Sequence, residues 1–384
     1  MDKNFYKNYF RIEKDHWLMR VRRAIVMDTL ATYVTPGKQR VKILDFGCGS
    51  GLLVDELSKK GMSVYGVDMS EEAIAFGKSR GIKGLSVLSS DHIDFPDDTF
   101  DAILMLDVLE HLEPVDHILT EVERILKPGG VMIIMVPAFM FLWGIQDTVS
   151  QHYRRYTKPT LSADIRRSTK LEPIRISYFN TFLFPPIALV RIVSSYFNLN
   201  KRESDFNLNS PMINKILFAI FNTERWFLQR IDYPFGVSIL SVYRKHTTHR
   251  QTAPDHNPIK QVFRFIATGA MTAVLYLSIS YILGTVLGIH YITTTIAAYT
   301  LALLFNFTVQ KYWSFENKDS KGKTPMQAIR YIGWSVIGIA ANTGMVYLLV
   351  AKMHLWYLIA QAVASCLFAA ASFFAYRRIF RTKE

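Results

Sequence analysis

Val41-Lys42-Ile43-Leu44-Asp45-Phe46-Gly47-Cys48-Gly49-Ser50-Gly51 decides the fold of the N-terminal part of this chain. Its first half is a short apolar run, which predicts a buried strand over 41–46. Its second half is a glycine-rich turn, and an amphipathic stretch after it predicts a helix over 52–60. Glycines let a backbone pass close to a ligand without Cβ clashes. The helix that opens there offers free N–H groups to that ligand. A second strand is expected over 63–68, ending on the acidic residue Asp68, about 20 residues after the turn, where a ribose diol would be gripped. The glycine spacing, Gly47-x-Gly49-x-Gly51, is not the Gly-x-Gly-x-x-Gly of dinucleotide-binding turns.

Outward from this unit the same rhythm continues. Helices are expected over 71–80, 115–126 and 159–168. Strands are expected over 85–89, 100–106, 131–136, 172–179 and 236–243, the helix before the fifth strand ending at Lys127-Pro128-Gly129-Gly130. Alternating strands and helices predict an α/β domain with helices on both faces of a mostly parallel sheet. Upstream, residues 4–34 read as one or two helices rich in aromatics and bases. Between the sixth and seventh strands two amphipathic stretches, 182–197 and 212–231, mix apolar and aromatic residues with Arg191, Lys215, Arg225 and Arg230. Such segments suit a membrane interface; the other reading is a helical cap on the domain's own core.

The 384 residues allow two domains. Mean hydropathy is +0.13, an average over two unlike parts. From Phe265 to Gln310 there is no Asp, Glu, Lys or Arg. A helix needs roughly 20 mostly apolar residues to cross a bilayer, so spans are expected at about 263–285, 290–310, 331–351 and 355–376. Bases flank them: Lys260 and Arg264 at the entry, Lys311, Lys318, Lys321, Lys323 and Arg330 in the middle loop, and Arg377, Arg378, Arg381 and Lys383 at the end. The positive-inside rule then puts both chain ends and the middle loop in the cytosol. The N-terminus has no apolar stretch of the secretory type, so the first domain is expected to be cytosolic, with the protein integral to the plasma membrane. The net charge of +13 is read as attraction to anionic headgroups rather than to nucleic acid. Cys48 and Cys366 make neither a disulfide framework nor a zinc pattern, and no metal is expected. The expected organisation is a domain over 1–245 with an interfacial insertion at about 180–231, a polar linker over 246–259, and a four-helix membrane domain over 260–384. Any self-association is expected through the membrane helices. Within them a weak parallel repeat runs from Arg264-Phe265-Ile266 to Arg330-Tyr331-Ile332, and from Asn306 with Tyr312-Trp313-Ser314-Phe315 to the stretch from Phe374 to Phe380.

The sequence Asp45-Phe46-Gly47-Cys48-Gly49-Ser50-Gly51, then Val67-Asp68-Met69-Ser70, resembles the first two motifs of class I S-adenosylmethionine-dependent methyltransferases. Phe95-Pro96-Asp97-Asp98-Thr99-Phe100-Asp101-Ala102 and Leu126-Lys127-Pro128-Gly129-Gly130 resemble later motifs of the same family. The resemblance covers about residues 40–245 and implies a Rossmann-like seven-stranded domain with S-adenosylmethionine as cofactor and S-adenosylhomocysteine as product. It implies that Asp45 and the Gly47, Cys48, Gly49 and Gly51 backbone hold the amino-acid end. It places Asp68 on the ribose hydroxyls, Met69 on the adenine, Asp91 and His92 beside the base, Leu106 under the sulfonium and Asp107 close to it. The spans and their repeat resemble the GtrA-like family, small all-α four-helix membrane proteins linked to polyprenyl-phosphate-sugar pathways. There Asn306 or Asn342 could bind substrate or simply bond one helix to another.

Methyl transfer is an in-line displacement, so proximity and orientation carry much of it. A neutral hydroxyl acceptor needs a general base; an ionised phosphate does not. His111, in Val-Leu-Glu-His-Leu, and His152 are the candidate bases, with Asp107 as a third catalytic candidate, all at the ligand-binding end of the sheet. For His111 the other reading is packing against the cofactor pocket. His152-Tyr153-Arg154-Arg155-Tyr156, with Lys158, combines bases and aromatics in a pattern suited to an anionic substrate. The early cluster of His16, Trp17, Arg20, Arg22 and Arg23 reads as a lid over the pocket or as a membrane-surface contact, and Arg20 is counted with the substrate-binding candidates. The expected activity is methylation of a membrane-embedded lipid, polyprenyl phosphate or a polyprenyl-phosphate-linked sugar. The alternatives are a module that flips or recruits lipid-linked sugars under a regulatory cofactor-binding domain, and a quinone or phospholipid methyltransferase.

Overall fold

The computed structural model describes residues 13–34, 40–88, 92–196, 210–246, 258–315, 324–352 and 357–380. It divides into two compact units, Met1–Ala253 and Pro254–Glu384.

The first unit is built on a seven-stranded sheet: β1 (Lys42–Phe46), β2 (Ser63–Asp68), β3 (Leu85–Val87), β4 (Phe100–Leu106), β5 (Leu126–Pro137), β6 (Glu172–Phe179) and β7 (Ser238–Arg244). Their order is β3-β2-β1-β4-β5-β7-β6. All neighbours are parallel except β7, which runs antiparallel between β5 and β6. The central strands are continuous apolar runs because both faces are covered; Ile43, Leu44, Ile103, Leu104, Ile133 and Ile134 are fully buried. Strand order reverses at β1, with β2 on one side and β4 on the other. Open α/β sheets leave a crevice at such a switch point, outside the carboxyl ends of the strands. This is a Rossmann-like, doubly covered α/β fold.

The helices of this unit are α1 (Trp17–Tyr33), α2 (Leu52–Lys59), α3 (Glu71–Ser79), α4 (Asp116–Ile125), α5 (Ile145–Val149), α6 (Lys158–Ser168), α7 (Phe184–Tyr196) and α8 (Pro211–Leu228). Local chemistry sets their starts: Ser70 caps α3 through the Ala73 amide at 3.2 Å, and Thr157 caps α6 ahead of Pro159. One strand differs from expectation. β5 begins at Leu126, not at 131, since Leu126 pairs with Phe100 and Val131 with Ala102, and the Lys-Pro-Gly-Gly segment between them bulges out. The Gly129 amide and the Gly130 carbonyl bond to Lys245 beyond β7 at 2.9 and 3.1 Å, so backbone pairing continues where a turn was expected.

The second amphipathic stretch, α8, packs on α1. Its inward face carries Phe221, Glu224 and Leu228, while Met212, Ile213, Ile216 and Trp226 are exposed. It therefore caps the domain's own core with one face and leaves apolar surface on the other. Glu224 fixes the cap: its buried carboxylate accepts from the Thr181 and Phe182 amides at 2.7 and 2.9 Å.

The second unit is helical: α9 (Pro258–Tyr281), α10 (Tyr291–Val309), α11 (Thr324–Ala351) and α12 (Tyr357–Ile379). α9 ends in a π turn over Ile282–Val286 and α10 in another over Gln310–Ser314, so helical winding runs past the expected end of the second span. α9 pairs with α10, and α11 with α12. Among the described residues one stretch, Gln261–Thr285, is by itself long and apolar enough to cross a membrane. Across all four helices large apolar side chains point outward, including Leu277, Leu304, Ile337 and Phe374. The two halves of the sequence repeat meet: Tyr331, Tyr376 and Phe380 form a buried aromatic cluster against Phe265, Phe307 and Phe315. Asn306 donates to Thr272 at 2.7 Å and accepts from the Tyr331 hydroxyl at 2.8 Å, so it bonds helix to helix. The Asn342 side chain lies outside the described residues.

Candidate active site

The glycine turn sits at the carboxyl end of β1, held down by the Gly47 and Cys48 amides bonding to the Val67 carbonyl at 2.8 and 3.0 Å. At Gly47, with φ of +78°, a Cβ would meet Val108 at 2.5 Å, which ties this turn to the segment after β4. At Gly49, also left-handed, a Cβ would point into open space, leaving its backbone approachable. Asp68 closes β2 and accepts from the Gly49 and Ser70 amides, each at 2.8 Å. Asp45 is buried at the end of β1, and among the described residues no ion pair reaches it. Burial, then the nearby Asp68, raises its carboxyl to about 7. Met69 is 72% exposed.

These residues fit the cofactor that the resemblance implies. An uncompensated buried carboxylate can receive an ammonium, a backbone without Cβ can approach an amino acid, and an exposed thioether can cover a flat base. Cys48 carries a free thiol whose backbone lies in the turn; burial, then Asp45 and Asp68, raises its pKa. His92 is paired with Glu121 at 2.7 Å. Asp91 lies outside the described residues. Leu106 ends β4 at the crevice, followed by Asp107 in a left-handed conformation with φ of +56°. The Asp107 carboxylate is 45% exposed and meets Arg22 of α1 at 2.5 Å, which makes α1 one wall of this crevice.

Beyond Asp107 lies a cluster of titratable side chains. A single 3-10 turn, Leu109–His111, carries Glu110 inward and His111 toward the crevice. Backbone bonds stitch it to the 153–156 segment: the Glu110 carbonyl accepts from the Tyr153 amide at 2.8 Å, and the Leu109 carbonyl from the Tyr156 hydroxyl at 3.3 Å. The stitching brings the rings of His111 and His152 to 4.6 Å, edge to face. His152 bonds through Nδ1 to Asp147 of α5 at 2.9 Å. Burial alone would raise Asp147, but hydrogen bonds from His152 and Arg155 outweigh it and hold the carboxyl at about 2. Burial, then the facing His152 ring, lowers His111 to about 4, so this ring is uncharged at neutral pH. Glu110 is fully buried and neither carboxylate oxygen has a hydrogen-bond partner among the described residues. Burial, then Asp107, pushes its pKa well up.

The anion cradle expected over 152–158 is dispersed. Arg155 is 8% exposed and forks onto Asp147 at 2.8 and 2.9 Å, with its remaining donor on the Ala138 carbonyl. Tyr156 is buried in the core. Lys158 donates to the Tyr233 carbonyl at 2.9 Å and lies over Tyr178. Arg154 pairs with Glu113 and bonds the Leu112 carbonyl. Tyr153 is exposed. Arg20 lies over Phe218 of α8 at 4.2 Å, away from the cluster. The physical reason is one buried anion, Asp147, which captures the Arg155 guanidinium. Sequence reading missed Asp147 and Glu110 as site residues. An acid flanked by apolar residues, as in Val-Leu-Glu-His-Leu, was the available signal for Glu110.

Next to this cluster stands an aromatic wall. Phe139, with φ of +58°, stacks on Tyr178 at 4.9 Å and on Phe141 at 5.3 Å, and Phe184 of α7 closes edge-on against Phe139 and Phe141. Trp143 reaches His152 at 6.5 Å. Met140 and Phe141 are exposed at its rim.

Residues 44–134 match the family described as a methyltransferase domain. Residues 264–380 match the GtrA/DPMS transmembrane domain. The chain is thus a methyltransferase domain fused to a GtrA/DPMS-type membrane domain. Among curated proteins it is similar to the ubiquinone biosynthesis O-methyltransferase of Mesorhizobium japonicum, at 31% identity over 99 residues, which is 24% of this chain and 40% of the relative. The protein of that name from Bradyrhizobium diazoefficiens is 36% identical over 99 residues, 24% of this chain and 39% of its own. The chain thus spans about two fifths of the length of these relatives. Among solved structures, a SAM-dependent methyltransferase from Archaeoglobus fulgidus is 22% identical with a TM-score of 0.37, covering 62% of this chain and 99% of its own. Phosphoethanolamine N-methyltransferase 2 of Haemonchus contortus, solved with S-adenosyl-L-methionine, is 15% identical with a TM-score of 0.39, covering 63% and 60%.

Proposed function

We propose that this protein methylates a hydroxyl of a membrane-embedded lipid, with S-adenosylmethionine as donor and its methyltransferase domain on the cytosolic side. The cofactor supplies an electrophilic methyl group on a sulfonium. Asp45 and the Gly47–Gly51 backbone bind its amino-acid end, and Asp68 and Met69 hold the nucleoside. The observation that carries the reading is the His111–His152 pair, backed by Asp147 and bordered by the aromatic wall. A hydroxyl docked against it would give up its proton at this cluster, which would ready its oxygen for the methyl group that the cofactor would release on becoming S-adenosylhomocysteine. Asp147 fixes the His152 ring by its Nδ1 bond, which leaves Nε2 toward the acceptor. The wall of Phe139, Phe141, Tyr178 and Phe184 excludes water and supports an apolar acceptor.

The membrane domain supports a polyprenyl-phosphate-linked sugar as the acceptor. Polyprenyl phosphate itself is less well supported, since Arg155 and Lys158 bond inside the fold. A phenolic quinone precursor is the second reading, favoured by the names of the matched relatives and by the stacking surface.

Purified full-length protein is incubated with methyl-labelled cofactor and vesicles holding a panel of polyprenyl and quinone-type lipids, and the product is identified by mass spectrometry. A methyl ether on a lipid hydroxyl is expected, with at least about a hundredfold loss in His152→Ala and a smaller loss in Arg154→Ala. A methyl ester on a phosphate, with both His→Ala variants active, would overturn the hydroxyl reading. Label confined to water-soluble acceptors would overturn the lipid.

A further inference from the structure

We propose that Glu110, His111 and His152 form a binding site for one divalent transition-metal ion of the zinc or cobalt kind. One ligand atom from each residue lies within 4.8 Å of the other two. Zinc–nitrogen bonds of about 2.0–2.1 Å need ligand atoms closer than that, so the side chains must close by roughly an ångström, which rotation of a carboxylate and two rings supplies.

Three features distinguish this group from a chance cluster. Both imidazoles already have outer partners: His152 bonds through Nδ1 to the buried Asp147 carboxylate at 2.9 Å, and His111 bonds to the Ser150 backbone. Metal-ligating histidines are held by such outer partners, a carboxylate or a carbonyl. Glu110 is fully buried, and both its oxygens lack a hydrogen-bond partner among the described residues. A buried carboxyl without such partners stays protonated or binds a cation, and an incoming metal ion displaces that proton. Finally, the two nearby guanidinium groups hydrogen-bond to other acids, Arg22 to Asp107 and Arg155 to Asp147, and neither bonds to Glu110 among the described residues.

Two imidazoles with one carboxylate suit zinc, cobalt, nickel or iron better than magnesium, which prefers oxygen ligands. Three protein ligands leave a coordination position open, the pattern of catalytic rather than structural sites. This inference rests on the proposed function and revises how the proton leaves: with an ion bound, His111 and His152 would act as its ligands instead of as bases, and the ion would acidify the acceptor hydroxyl so that its proton passes to water. The sequence pattern held no sign of it, since the ligands come from segments about 40 residues apart with none of the usual short spacing.

The test uses the full-length protein in detergent, stripped with a chelator and titrated with Co²⁺ alone. Expected are one equivalent bound per chain, a visible d–d absorption band, and its loss on adding Zn²⁺. Glu110→Gln and His152→Gln each weaken Co²⁺ binding at least tenfold, and Asp147→Asn, which touches no ligand position, weakens it about tenfold or more by freeing the His152 ring. Binding of S-adenosylmethionine, read by calorimetry in the same samples, reports that the variants are folded. Absence of stoichiometric uptake by a wild type that binds the cofactor overturns the proposal. Equal uptake by wild type and all three variants overturns it as well. Stoichiometric uptake in a protein that methylates no lipid would sustain the metal site and sink the proposed activity.

Discussion

Asp45 illustrates how one side chain reports on its ligand. Its carboxyl titrates at about 7 because it is buried beside Asp68. A cationic amino group docked on it favours the ionised form, so below that pH cofactor binding must expel a proton. Calorimetry at pH 6 in buffers of different ionisation enthalpy is expected to show release approaching one proton. Affinity is expected to fall as pH drops through 7, by at most about tenfold per unit. Asp45→Asn should bind weakly and lose both effects. Proton uptake instead of release would exclude the assigned contact. At this same scale the residues of the first two motifs were readable, because the glycine turn and the acid after β2 are local features of the chain. The roles of Arg155 and Tyr156 were not. Both are set by what the fold brings to them, a buried Asp147 and the Leu109 carbonyl.

At the scale of elements, α8 is held by a buried acid rather than by apolar contact alone. Burial raises Glu224 to about 7 against the pull of the backbone amides it accepts from. The folded state therefore binds this proton more tightly than the unfolded chain does. The associated stability is fully present below about pH 4.5, declines as pH rises, and is lost above 7. At about 1.4 kcal/mol per unit the upper bound is roughly 3 kcal/mol. Calorimetric unfolding of the full chain in detergent should show the methyltransferase domain losing stability between pH 5 and 7.5. Glu224→Gln, which keeps an acceptor oxygen, should flatten that decline. A variant as pH-sensitive as the wild type would remove Glu224 from the account. Strand positions were largely legible, since period and apolar run length are local. β5 was not, because its early start depends on pairing with Phe100 and on the backbone beyond β7.

At the scale of the whole molecule, the proposed methylation of a lipid would divide the work between the two units. If the membrane domain serves to confine the catalyst to the surface that holds its acceptor, removing residues 254–384 leaves cofactor binding within about twofold. Methylation of a vesicle-embedded lipid should then fall by at least tenfold through lost effective concentration. Measuring both on the truncated and full-length proteins decides this. Undiminished lipid turnover by the truncated protein would deny the membrane domain a part in delivering substrate. A truncation that no longer binds cofactor would mean that the first unit does not stand alone.

Local order along the chain was enough to establish the strand-turn-helix unit, its acidic partner, the alternation that makes a doubly covered sheet, and the charge-free stretch that enters the bilayer. Each depends on side-chain period, backbone freedom or solvation, which neighbouring residues set among themselves. Tertiary structure alone decided which cation meets which anion, that Glu110 is buried with no hydrogen-bond partner among the described residues, and that His111 and His152 face each other. Coulomb pairing and burial act between residues far apart in sequence, and only the closed fold brings them within reach.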